Sequence, residues 1–139
     1  MNETFTEAIE KSLRDHAGEP WKNGLKDLGE IAERLNVAVG AVTHGMLGTG
    51  LAPFKDCSAN IQGNINYDLV LLDITRTKIL ERIDRFSLQP SGHYPVLVVS
   101  VGTVAFGIGD RDGLEARFMA HIKTWQSRLI IKIQEALKA

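Results

Sequence analysis

The chain has 139 residues and one cysteine, Cys57, so no disulfide can form within it and a reducing cytoplasmic setting is expected. It also lacks a charge excess of either sign, the formal net charge being −1. A dedicated nucleic-acid binder draws most of its affinity from phosphate neutralisation, so the missing basic excess counts against that class. The opening MNETFTEAIEK carries acids where a secretory leader would carry cations before an apolar core. Neither internal repeats nor low-complexity segments interrupt the chain, which implies one compact domain over residues 1–139.

Chemistry-bearing patterns are equally sparse. His16, His44, His93 and His121 are scattered without the i, i+4 spacing of a zinc site. GMLGTG has no following Lys and Ser or Thr to make a phosphate loop. GDRDGLE opens like a calcium loop through Asp110, Asp112 and Gly113 but lacks the closing Glu at the required distance. Pairing Cys57 with His93 as nucleophile and base rests on no spacing rule, and an idle cysteine is the simpler reading. No catalytic, metal-binding or cofactor-binding residue is therefore assigned, and no cofactor is expected.

What is present is periodicity. Thr4 and Glu7 make a capping box ahead of Phe5, Ile9 and Leu13, predicting a helix from Thr4 to His16. Pro20 at a first helical position, followed by Trp21, Leu25, Leu28, Ile31, Ala32 and Leu35, predicts a second from Pro20 to Leu35. In the middle, YDLVLLDIT fits a buried strand, while Leu69, Leu72, Ile79, Leu80, Ile83 and Phe86 also fit one long helix; a strand followed by a short helix is expected. YPVLVVSVGTVAFGIGD predicts a β-hairpin from Tyr94 to Ile108, turning at Gly102-Thr103. Finally, Asp112 and Glu115 as a capping box, and a stripe through Leu114, Phe118, Ile122, Trp125, Leu129 and Ile133, predict one long amphipathic helix from Gly113 to Leu137, with Phe118 and Trp125 buried. The expected class is α+β: N-terminal helices, a central hairpin with one further strand, and a long C-terminal helix. That last helix carries Arg117, Lys123, Arg128, Lys132 and Lys138 outward, which is either a solvated face or a surface for an acidic partner or anionic lipid.

Two readings compete for LGEIAERLNVAVGAVTHGM, Leu28 to Met46. Ala32, Leu35, Val37 and Val42 occupy the positions a helix-turn-helix requires, so a small DNA-binding regulator is the alternative function. Against it, the outward residues of the supposed recognition helix are Ala38, Val39, Gly40, Thr43 and His44, which are poor readers of base edges, and Asp27, Glu30 and Glu33 would face phosphate. The same region opens a stretch of nineteen residues, Asn36 to Phe54, without Asp, Glu, Lys or Arg and with glycines at 40, 45, 48 and 50. Such a segment is either buried or offered to something apolar. Its candidate contact residues are Val39, Val42, His44, Met46, Leu47, Leu51 and Phe54, with a protein partner or self-association expected ahead of a membrane surface, and nucleic acid last.

The order of LGEIAERLNVAVGAV, GLAPFKD, KILERIDRF before LQPSGHYPV, and DGLEARFMAHI resembles the abortive-infection alpha (Abi-alpha) proteins of bacterial phage defence over roughly two thirds of the chain. The resemblance implies a non-enzymatic intracellular interaction protein of prokaryotic or phage origin, and an all-α fold if it holds throughout. It carries no catalytic residue, because the matching segments contain none.

Overall fold

The computed structural model describes residues 3–15, 23–53, 63–100, 103–124 and 126–138. Helix α1 (Phe5–Asp15) begins as its capping box requires: the Glu7 amide donates to Thr4 Oγ1 at 3.1 Å and the Thr4 amide to the Glu7 carboxylate at 3.4 Å. Helix α2 (Gly24–Val42) is capped by Asn23, whose side-chain oxygen accepts from the Lys26 amide at 3.0 Å. It runs seven residues beyond the expected end at Leu35 without a break. The two-helix geometry that a helix-turn-helix needs is therefore not formed by Leu28 to Met46, and α2 is followed by a strand.

Five strands follow in chain order, β1 (Gly48–Pro53), β2 (Ile65–Leu72), β3 (Ile79–Leu88), β4 (Val96–Ser100) and β5 (Thr103–Ile108), forming one antiparallel meander in which each pairs with the next. Tyr67 opposite Phe86, Val98 opposite Phe86 and Val96 opposite Ile108 set one face of this sheet apolar. Onto that face pack Leu28, Ile31, Leu35 and Val39 of α2, Leu114 and Phe118 of α3 (Arg111–Lys123), and Leu129 of α4 (Arg128–Lys138), all buried. Phe118 stacks on the buried Phe86 with ring centroids 5.7 Å apart. Helices on one face of an antiparallel sheet define an α+β layer fold.

Several expectations are corrected here. The segment Ile79 to Phe86 makes up the first eight residues of a ten-residue strand, not a short helix. Its register against β2 shifts at Leu69/Val70 and at Leu71/Leu72, and bulges of this kind break the two-residue alternation, so Ile79, Leu80, Ile83 and Phe86 imitate a helical period. The sheet thus has five strands where a hairpin and one further strand were expected, and the all-α architecture does not hold. The hairpin itself is present, but Ser100 pairs with Thr103, so Thr103 lies in β5 and not in the turn.

The single long C-terminal helix is also overturned. Thr124 leaves the helical region (φ −85°, ψ 115°), and Ser127 restarts the chain as α4 by accepting the Ile130 amide on its hydroxyl at 3.1 Å. Two shorter helices result, α3 and α4. The N-cap of α3 is Asp110, which accepts from Gly113 at 2.8 Å, and not Asp112. Trp125 lies outside the described residues.

Candidate interaction surface

Charged side chains near the core tie elements of the fold together, and one cluster holds α3 to the sheet. Asp84 stands opposite Leu69 on the helix face of β3. Its carboxylate accepts from Arg117 Nε at 2.7 Å and Nη2 at 3.1 Å, and it lies 2.8 Å from His121 Nε2. Burial pushes this carboxyl up, but the hydrogen bonds and charges of His121 and Arg117 outweigh it and hold the group below the usual carboxylate range. Arg117 also lies over the Phe106 ring of β5, 5.3 Å from its centroid.

A second seam joins α2 to α3. Arg111 donates to Asp27 at 2.9 Å and to Glu30 at 2.6 Å, Arg34 donates to Glu115 at 2.9 Å, and the Tyr94 hydroxyl donates to Asp27 at 2.8 Å. Burial and the Asp27 carboxylate push the Tyr94 phenol above its ordinary value, which keeps it a donor. On the other face of the sheet, buried Asp68 accepts from Arg82 at 3.1 Å and from Arg85 at 2.7 Å. Among the described residues no group of three or more His, Cys, Asp or Glu is arranged to hold a metal ion.

The charge-free stretch presents the opposite situation. α2 ends in a Schellman turn: the Gly45 amide donates to Gly40 O at 2.8 Å, and His44, in the left-handed region at φ 55°, precedes Gly45 at φ 81°. Thr43, fully buried, donates its hydroxyl to Val39 O at 2.8 Å and accepts the Leu47 amide at 3.0 Å, which aims the chain into β1. This geometry divides the candidate residues. Val39 and Leu47 are buried and Leu51 packs against the core, so these three serve the fold. Val42 (56% exposed), His44 and Met46 face outward, and Phe54 lies outside the described residues.

Topology adds residues that the linear pattern does not associate with this stretch. Gly48 pairs with Leu72, and Leu72 pairs with Ile79, so the start of β1, the end of β2 and the start of β3 lie side by side. The turn between β2 and β3 is locked by Asp73, whose carboxylate accepts from the Thr75 hydroxyl and from the amides of Thr77 and Lys78. From this turn Arg76 donates to the Asn36 side chain at 2.7 Å, and its guanidinium covers the place where a side chain at Gly48 would stand. The Arg76–Asn36 bridge thereby ties the turn to α2, and Ile74 in the same turn is 67% exposed. At the level of the backbone the start of the charge-free strand β1 thus lies beside the end of β2, and that in turn beside the start of β3, where Ile79 and Leu80 are exposed; Val42, Met46 and Ile74 are exposed as well.

The fold defines a class: a small α+β protein with a five-stranded antiparallel meander, helices on one face, and a charge-free stretch that leads from α2 into β1. Compared with protein-family models, with curated proteins and with solved structures, the chain finds no match in any of the three. Among the described residues no helix is long and apolar enough to cross a membrane.

Proposed function

We propose that this chain is a non-enzymatic interaction protein of prokaryotic or phage origin that works in the cytoplasm by docking the end that carries its charge-free stretch on a protein partner, with phage defence as its setting. The observation that carries the proposal is the meeting of two independent features. The charge-free stretch from Asn36 and the exposed Ile74, Ile79 and Leu80 are distant in sequence, yet pairing across β1, β2 and β3 brings them to one end. Exposed apolar residues scattered singly are ordinary, whereas a cluster framed by a segment without charge is the mark of a contact surface.

The test is purification of the wild-type chain and of Val42→Asp from the native host under identical conditions. Val42 is 56% exposed, so the substitution leaves the melt near wild type while removing associated protein. Equal recovery of associated protein by both forms would defeat the proposal, as would binding of the purified chain to lipid vesicles that is lost in Val42→Asp. A fall in phage plating on cells expressing the wild-type chain, absent with Val42→Asp, is the expected result for the proposed setting.

A further inference from the structure

Strands β1 and β5 each have one neighbour in the meander, and the outer edge of such a strand offers amides and carbonyls to any other extended chain. β5 carries a bulge, Ala105 being the extra residue between the pairs Val98–Phe106 and Val99–Val104, and a bulge on an edge discourages pairing. β1 keeps a regular register against β2 and has no charged residue from Gly48 to Pro53. Its protection is of another kind. Successive residues of a strand turn their amides to opposite sides, so Thr49, Leu51 and Pro53 form one set. That set points outward, because the Thr49 amide donates to the Asn36 side-chain oxygen of α2 at 3.0 Å. Pro53 has no amide hydrogen to give, which leaves Leu51 as the outward amide that remains.

Arg76 completes the closure. From the turn between β2 and β3 it donates to the same Asn36 oxygen at 2.7 Å, and its guanidinium stands where a side chain on Gly48 would begin. Thr49 pairs with the core residue Leu71 and so lies on the helix face, whereas its neighbour Gly48 turns to the opposite face. A guanidinium that stands over Gly48 on one face and bonds Asn36 on the helix side therefore wraps the rim of β1, where an added strand would lie. Arg76 holds this position from the left-handed region, at φ 61°.

We infer that Asn36 and Arg76 form a strap that closes the β1 edge against strand addition by a second copy of the chain. Two identical edges pair antiparallel about a two-fold axis, so a second copy is the occupant that this uncharged strand fits. Asn36 takes up the outward amide of Thr49, and Arg76 keeps the Asn36 oxygen turned toward it. Gly48 belongs to the device, because a residue without a side chain leaves the guanidinium its place. The inference is independent of the docking surface that carries Val42.

The test follows amide exchange at Thr49, Gly50 and Leu51 by nuclear magnetic resonance, together with sedimentation over a concentration series, for wild type, Asn36→Ala, Asn36→Asp and Gly48→Ala. In dilute Asn36→Ala the Thr49 amide is expected to exchange about tenfold faster than in wild type, while Gly50, which faces β2, is unchanged. On concentration this variant is expected to dimerise, with the Thr49 and Leu51 amides slowed together. Asn36→Asp keeps an acceptor for both donors and should match wild type in both readouts. Gly48→Ala displaces only the flexible tip of Arg76 and should loosen the edge in the same direction as Asn36→Ala, so it decides the matter if Asn36→Ala fails to fold. Unchanged exchange at Thr49, a mass equal to wild type at every concentration, or dimers in which the Leu51 amide stays fast would each overturn the inference. Dimerisation of Asn36→Asp, or a wild type whose Leu51 amide slows on concentration, would overturn it equally.

Discussion

Replacing Asp84 by Asn probes the link between helix and sheet with little change in shape. The Asp84 side chain is 5% exposed and takes two hydrogen bonds from Arg117 and one contact from His121. Removing one partner of a buried ion pair costs about 3–5 kcal/mol, because the other charge is left unpaired. Arg117 is 30% exposed and regains some water, so the lower end, about 3 kcal/mol, applies here. In a domain of this size that is a large share of a total of roughly 5–15 kcal/mol, and corresponds to a melting shift of roughly 10 °C. The pH dependence follows from the lowered carboxyl of folded Asp84. Its stabilisation is fully present above the unfolded value of about 4 and is lost as pH falls through the lower folded value. Urea titrations of wild type and Asp84→Asn should therefore differ at neutral pH and converge as the pH falls toward 3. A difference below about 0.5 kcal/mol at neutral pH, or one undiminished at pH 3, would refute the reasoning.

Phe118→Ala is expected to cost about 3–5 kcal/mol, since the ring is 3% exposed and stacked on Phe86; a wild-type urea midpoint would show that α3 does not pack there. Thr49 is buried and its hydroxyl has no hydrogen-bond partner among the described residues. The nearly isosteric Thr49→Val removes that orphaned group and should stabilise by about 1 kcal/mol, while a lower melting temperature would show that the hydroxyl is satisfied.

How far the linear pattern carried the fold can be judged element by element. Thr4 and Glu7 announced α1 correctly because a capping box is a local device whose partners sit three residues apart. β2 was legible as a buried strand, whereas β3 was not. Two shifts in its register scramble the alternation that identifies strands, and they arise from pairing with β2 rather than from anything local to β3. The break between α3 and α4 had a signal in Ser127, a competent cap, but the apolar stripe running past it suggested continuity. At the surface, the absence of charge from Asn36 onward was visible directly, and Val42, His44 and Met46 do face outward. Val39, Leu47 and Leu51 serve the core instead, because the Schellman turn and the Thr43 hydroxyl rotate the chain inward after α2. The start of β3, with exposed Ile79 and Leu80, could not be related to this stretch from the sequence, because only the strand order sets Ile79 next to Leu72 and Leu72 next to Gly48.

The most direct measurement is a hydrogen-exchange comparison between the isolated chain and the chain within the complex in which it is recovered from its host. Exchange reports opening of individual backbone amides, so it maps the covered surface without prior choice of a mutation. Slowed exchange in peptides spanning residues 37–46 and 73–80 together, with β4 and β5 unchanged, is the result the account predicts. Protection confined to the outer side of α3 and α4, with both of those segments unaltered, would contradict it.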